Sequence, residues 1–161
     1  MTVGFEYAYS LTDEVIEVKD FIADSAFTGS KGDVVILNAS GNVVASGNNP
    51  TTVLGVYEGG NFRGITNNGD YAATTVTNNS QSNKLAKVRV GANAVYRVAL
   101  KAAATAPVIG TAYGVTTGTS PTGTAAVLDT AQTATGAIFK VVDYDATTQN
   151  CFVVITSRSL V

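Results

Sequence analysis

The sequence predicts an all-β fold: a small β-barrel or sandwich with an extended N-terminal arm and one long irregular insertion. Three observations lead there. The apolar runs, such as Val34–Leu37, Val53–Tyr57 and Cys151–Ile155, are β-branched and too short for helices. Gly, Asn and Thr separate them, which is turn chemistry. The stretch Lys31–Val44 reads as a complete strand, turn and strand, with Gly41 in Asn38-Ala39-Ser40-Gly41-Asn42 free to take positive φ. At 161 residues the chain is long enough for one self-sufficient core. The expected division is an arm over 1–24 and a β-barrel domain over 25–161, with 58–83 as an insertion or loop.

Along the arm, Phe5, Tyr7 and Tyr9 fall on one face of an extended segment and call for burial. Ser10-Leu11-Thr12-Asp13 resembles a helix capping box, and Leu11, Val15, Val18 and Ile22 would share a helical face. The alternation of Ile16 and Val18 with Glu17 and Lys19 favours a strand over 15–22 instead. Strands follow at 34–37, 43–45 and 51–57, the last ended by Glu58-Gly59-Gly60. Within 58–83, Asn68-Gly69 is a type I′ turn signal that would join 62–66 to 71–77. Residues 84–90 and 94–100 are two strands about the turn Gly91-Ala92-Asn93, with basic and apolar residues alternating. Lys101–Ala106 has room for one or two helical turns before Pro107. Strands resume at 109–115, 125–128, 138–142 and 151–156, with a loop over 116–124 and a hairpin loop over 143–150.

A faint echo runs through this order. Gly32–Ile36, Gly41–Val44 and Val53–Tyr57 parallel Gly110–Val115, Ala126–Leu128 and Gly136–Val142. It reads either as a duplicated β unit or as two walls of one barrel.

Composition narrows the function classes. Hydrophobic residues are 45% and charged residues 14% of the chain, so some apolar surface is expected to lie against another chain. The net charge of −2 argues against nucleic acid as a partner. Six of the twelve acids lie in residues 1–24 (Glu6, Asp13, Glu14, Glu17, Asp20, Asp24), and residues 84–101 hold five of the ten bases and no acid. The two regions are placed to meet, within one subunit or between two. No apolar run nears the ~18 residues needed to span a bilayer, so no membrane is expected. The start lacks the basic and apolar regions of a signal peptide, which implies synthesis in the cytoplasm.

The search for chemistry finds none that a motif supports. Histidine is absent, which removes the commonest general base and transition-metal ligand. The single cysteine, Cys151, lies in an apolar strand and acts as a small core residue. Asp143-Tyr144-Asp145 lacks the Gly and distal Glu of a calcium loop and reads as a hairpin turn. Asp13, Glu14 and Glu17 read as a solvated arm. Nothing in the sequence brings Glu58 and Asp70 together as a carboxylate pair, and Trp is absent as a sugar platform. The glycines at 55, 59, 60, 64 and 69 precede no Lys-Ser/Thr helix start. Asp33 reads as a turn residue. No catalytic, cofactor-binding or metal-binding residue is assigned, and no cofactor.

On three segments the chain resembles the capsid decoration, or cement, proteins of tailed bacteriophages. They are Lys31-Gly32-Asp33-Val34-Val35-Ile36-Leu37, Gly110-Thr111-Ala112-Tyr113-Gly114-Val115, and Gly136-Ala137-Ile138-Phe139-Lys140-Val141-Val142-Asp143-Tyr144-Asp145. The likeness covers roughly 30–160 and leaves out the acidic arm and 58–83. It implies a structural virion protein, made in the host cytoplasm, that binds the major capsid protein on the outer capsid surface as a homotrimer and stabilises it. It implies no catalytic residue. The alternatives are another virion subunit, of tail tube or head–tail type, and a carbohydrate-binding adhesin module. Phe5, Tyr7 and Tyr9 would then lie along a neighbouring subunit, and a chain lacking 1–22 would fold but lose capsid binding.

Overall fold

A computed structural model describes residues 4–27, 29–62, 65–67, 84–116 and 126–159. The described residues form twelve strands and no helix: β1 (Glu6–Ser10), β2 (Val18–Ile22), β3 (Val34–Leu37), β4 (Val43–Ala45), β5 (Gly55–Phe62), β6 (Ile65–Asn67), β7 (Lys84–Arg89), β8 (Ala94–Ala99), β9 (Ala112–Thr116), β10 (Val127–Asp129), β11 (Phe139–Asp145) and β12 (Asn150–Ile155). They make a small sandwich of two antiparallel sheets. One has the order β1-β8-β12-β11-β9-β10. The other has the order β2-β7-β5-β3-β4, with β6 paired on β5.

Set side by side, the sheets are one five-stranded unit built twice. Unit one is β2, β3, β4, β5 and β7; unit two is β8, β9, β10, β11 and β12. In each, the spatial order is first, fifth, fourth, second, third. The registers agree pair by pair. Val34↔Val56 and Val35↔Gly55 correspond to Ala112↔Lys140 and Tyr113↔Phe139. Leu37↔Val43 corresponds to Val115↔Leu128, and Ile22↔Leu85 to Ala99↔Asn150. Even the β-bulge recurs: the ladder slips between Tyr57 and Gly59 in unit one and between Val141 and Asp143 in unit two. Each sheet curls until its first and third strands meet at one parallel bridge, Ala23↔Val43 or Leu100↔Leu128. One bridge is not a ladder, so neither sheet closes into a barrel.

The same turn leads into the second strand of each unit. Asp33 N–H donates to the Ser30 carbonyl at 3.0 Å, and Thr111 N–H to that of Val108 at 3.1 Å. Gly32 and Gly110, both at positive φ, donate to the carbonyls of Tyr57 and Val141. The echo in the sequence is therefore a duplicated unit. It extends to the first and fifth strands, which the sequence echo leaves out.

Each unit packs apolar side chains inside its own curl. In unit one these are Ala23, Phe27, Val35, Val43, Leu54, Tyr57, Ala86 and Val88. Their counterparts Leu100, Ala104, Tyr113, Leu128, Ile138, Val141, Cys151 and Val153 do the same in unit two. A second set, with Val34, Val53 and Val56 from unit one and Tyr96 and Phe139 from unit two, packs across the seam in one cluster with the interior of unit two, while the interior of unit one forms a cluster of its own. Cross-unit hydrogen bonds reinforce it. Across the seam Val53 N–H donates to the Ser157 carbonyl at 3.2 Å, the Val53 carbonyl accepts from Ser159 N–H at 2.7 Å, and Asn49 N–H donates to the Val115 carbonyl at 3.1 Å. Asn49 fits because Gly114 and Gly136 lack a Cβ that would strike it.

The N-terminal segment is extended but docked at both its strands. β1 adds to the edge of unit two through β8, and Phe5 is buried against Tyr96 and Phe139. β2 is the first strand of unit one. Residues 1–22 thus include a member of the repeat, and removing them takes a strand from unit one; the expectation of a folded remainder does not fit this pairing. The aromatic row is also broken. A bulge at Ala8 sends Tyr7 inward onto Tyr96 and turns Tyr9 outward beside Phe152. β5 does not end at Glu58-Gly59-Gly60 but runs through it to Phe62, because a bulge at Glu58 and the positive φ of Gly59 carry the ladder on. Lys101–Ala106 makes a single turn, with Ala103 at φ 61° instead of a helical angle. The proposed 62–66 to 71–77 hairpin and the loop over 116–124 lie largely outside the described residues; β6 folds back on β5.

Candidate interaction surface

The charged residues that cluster in space do so to hold strands together. Glu58 of β5 accepts from Arg89 Nε of β7 at 2.7 Å and meets Lys31 Nζ at 3.5 Å. The Arg89 guanidinium lies 4.2 Å from the centre of the Tyr7 ring, a cation–π contact that ties β1 over the seam. Beside it the Tyr96 hydroxyl donates to the Arg89 carbonyl at 3.4 Å, and burial holds that phenol well above its ordinary range. Arg158 reaches the Val90 carbonyl at 3.0 Å from the C-terminal segment.

In unit two, Asp129 is nearly fully buried and accepts from Lys101 Nζ at 2.7 Å, Thr116 Oγ1 at 3.2 Å and Ala131 N–H at 3.1 Å. The Lys101 bond is the main reason its carboxyl lies below the usual range, against the opposing pull of burial. Lys101–Thr105 and Asp129–Ala131 line an open hollow of about 350 Å³. In unit one Asp24, which matches Lys101, accepts from Asn38 Nδ2 at 3.0 Å, and Val44 stands where unit two has Asp129.

The residues singled out in the sequence fall as follows. Asp33 accepts from Ser30 N–H at 2.8 Å in the turn before β3. Asp145 caps the β11–β12 hairpin, accepting from Thr148 Oγ1 at 2.7 Å and Thr147 N–H at 2.9 Å, which lowers its pKa. Cys151 is fully buried, and burial pushes its thiol up to about 11. Glu14 accepts from Asn93 and Glu17 pairs with Lys19, both on the surface. Asp70 lies outside the described residues. The acidic N-terminal segment and the basic stretch 84–101 meet within one chain: Glu6 pairs with Arg97 across β1–β8, and Asp20 with Lys87 at 3.1 Å across β2–β7. Among the described residues no three His, Cys, Asp or Glu side chains gather closely enough to hold a metal ion, and no helix is long and apolar enough to cross a membrane.

Large apolar side chains also face outward. Among the described residues, the large hydrophobic side chains left exposed are Tyr9, Leu11, Val15, Val18 and Ile22 along the N-terminal segment, and Val108 and Ile109 before β9. Sequence reading put Phe5, Tyr7 and Tyr9 on one face in need of burial; the bulge at Ala8 leaves Tyr9 facing out. Val108 and Ile109 carried no signal, because their exposure follows from the turn that Ser30 and Lys31 fill with polar side chains in unit one. No protein-family model, curated protein or solved structure matches the chain.

Proposed function

We propose that this chain is a structural virion protein: a decoration protein that binds the outer surface of a tailed-phage capsid, contacts the major capsid protein and stabilises the shell. One observation carries the reading. Among the described residues, the exposed large apolar side chains sit on two rims, the 9–22 segment and the 108–109 turn. Rims of this kind suit contact with another protein. The resemblance adds support, since two of its three segments contain β3 and β9, the same strand in the two units. In this reading the protein acts as a homotrimer, so that several modest contacts combine by avidity. It catalyses no reaction.

The test is to mix the purified chain with undecorated phage heads and follow co-sedimentation and the melting temperature of the heads. Saturable binding with a higher melting temperature is the expected result. Absence of co-sedimentation overturns the proposal. Light scattering on the free protein tests the trimer separately.

A further inference from the structure

The two units differ in what covers the outer edge of their first strand. In unit two β1 lies along β8 over residues 94–97. The register-matched edge in unit one is β2 over residues 17–20, and among the described residues no strand lies along it. Backbone direction makes the comparison strict. Val90 N–H donates to the Glu17 carbonyl, so Glu17, Lys19 and Phe21 face β7, while Val18, Asp20 and Ile22 turn their N–H and C=O groups outward. In unit two Leu100 N–H donates to Gln149 on the β12 side, so Val95 and Arg97 turn toward β1. Val18 therefore matches Val95, and Asp20 matches Arg97. Val95, opposite Tyr9 of β1, is 0% exposed; Val18 is 40% exposed. Ile22 and Val15 beside it stand out at 45% and 98%.

We propose that the β2 edge takes a strand from a partner protein. An extended segment pairs antiparallel with residues 17–20, as β1 pairs with 94–97, and places a basic residue opposite Asp20. The charge follows from the matched pair: in unit two the added strand brings Glu6 to Arg97, and here the host position is an acid. Asp20 already meets Lys87, but both are partly exposed and leave room for a second cation. A second copy of this chain is disfavoured. Its β1 would bring Glu6, and its β2 Glu17 and Asp20, against Glu14, Glu17, Asp20 and Asp24. These charges guard the edge against self-pairing. The mode stands on geometry; only the partner's identity as a capsid subunit rests on the proposed function.

The test uses the full chain and two peptides of residues 4–11, one unchanged and one carrying Glu6→Lys, with amide hydrogen exchange as readout. The Glu6→Lys peptide is expected to slow exchange at Val18 and Asp20 and to bind about fivefold tighter than the unchanged one, from a favourable instead of a like-charge cross-strand pair. Val18→Pro deletes one outward N–H and leaves the β7 ladder whole, so it abolishes that protection. Asp20→Arg keeps the edge and reverses the peptide preference, which preserves the test should the proline variant fold poorly. Protection absent from Val18 and Asp20, an unchanged preference in Asp20→Arg, or a self-associated dimer with these amides protected overturns the inference. Undecorated heads separate the two proposals. Heads that bind the wild type and Val18→Pro equally overturn the edge and leave the decoration reading. A wild type that takes the peptide but no heads does the reverse.

Discussion

Unit one and unit two share their strand order, registers and bulge, yet few side chains agree. Val88 and Val153 match, as do Gly32 and Gly110; most other pairs differ in size or charge. The aromatic volume inside the curl is moved as well. Unit one uses Tyr57 on its fourth strand and Phe27 in the loop after its first, ring against ring at 5.3 Å and 83°. Unit two has Val141 and Ala104 at those places and sets Tyr113 on its second strand where unit one has Val35. The comparison teaches that inward apolar periodicity, a tight turn before the second strand and the bulge specify the unit, while total volume is met in more than one way. Where a given ring sits then decides how much each matched position contributes.

That difference is broken most sharply at the fourth strand. Tyr57→Ala removes a fully buried ring and the edge-to-face partner of Phe27, and is expected to cost about 4 kcal/mol. Val141→Ala, the matched change, removes two methyl groups and should cost about 2 kcal/mol. Urea midpoints at constant m-value measure both. Because Val34, Val56, Tyr96 and Phe139 form one core across the seam, each variant should still unfold in a single transition. A Tyr57→Ala protein that loses unit one in a separate step would show that the repeats are independent.

A smaller effect sets the Lys101–Asp129 link of unit two against Asp24–Asn38 of unit one. Asp129 has a lowered pKa in the folded state, so its contribution to stability is full above the ordinary carboxylate value near ~4 and is lost as pH falls through the lowered folded value. Asp129→Asn removes that dependence and, by weakening the charged hydrogen bonds that the buried carboxylate accepts from Thr116 and Ala131 as well as Lys101, should cost about 2 kcal/mol at neutral pH. Unfolding midpoints between pH 7 and pH 2 for the wild type and Asp129→Asn should therefore converge toward the acid end. Parallel curves would contradict the assignment.

The all-β class and most strands were legible because they rest on local chemistry: Val34-Val35-Ile36-Leu37 alternates with its turn, and Asn38 accepts from Ser40 and Asn42 to close it with Gly41 at φ 76°. The echo in three strands was visible for the same reason. What could not be read is non-local. No residue in β2 says that it pairs with β7, more than sixty positions away, and β7 and β8 are split between two sheets although one short turn joins them. The bulge that reverses Tyr9 leaves no sequence mark, since Ala8 would suit either register. The same holds for the open edge of β2. It becomes visible only once Val18 is matched with Val95, a comparison that requires the duplicated registers.

The smallest expected effect asks whether the units open together. Cys151 is fully buried with its thiol pushed to about 11, so at pH 8 it should label only when unit two opens. Its match in unit one is Ala86, also fully buried. Ala86→Cys in a Cys151→Ala background moves the reporter to the other unit, at a cost of about 1 kcal/mol for each change. In wild-type protein and in this variant, pulsed labelling should give equal rates once corrected for that difference in stability, because the shared core forces one opening event. A thiol at position 86 that labels more than about tenfold faster would mean that unit one opens on its own. The seam made by Asn49, Val53 and Ser159 would then be the weakest joint of the fold, and the β2 edge would belong to a unit able to rearrange around an incoming strand.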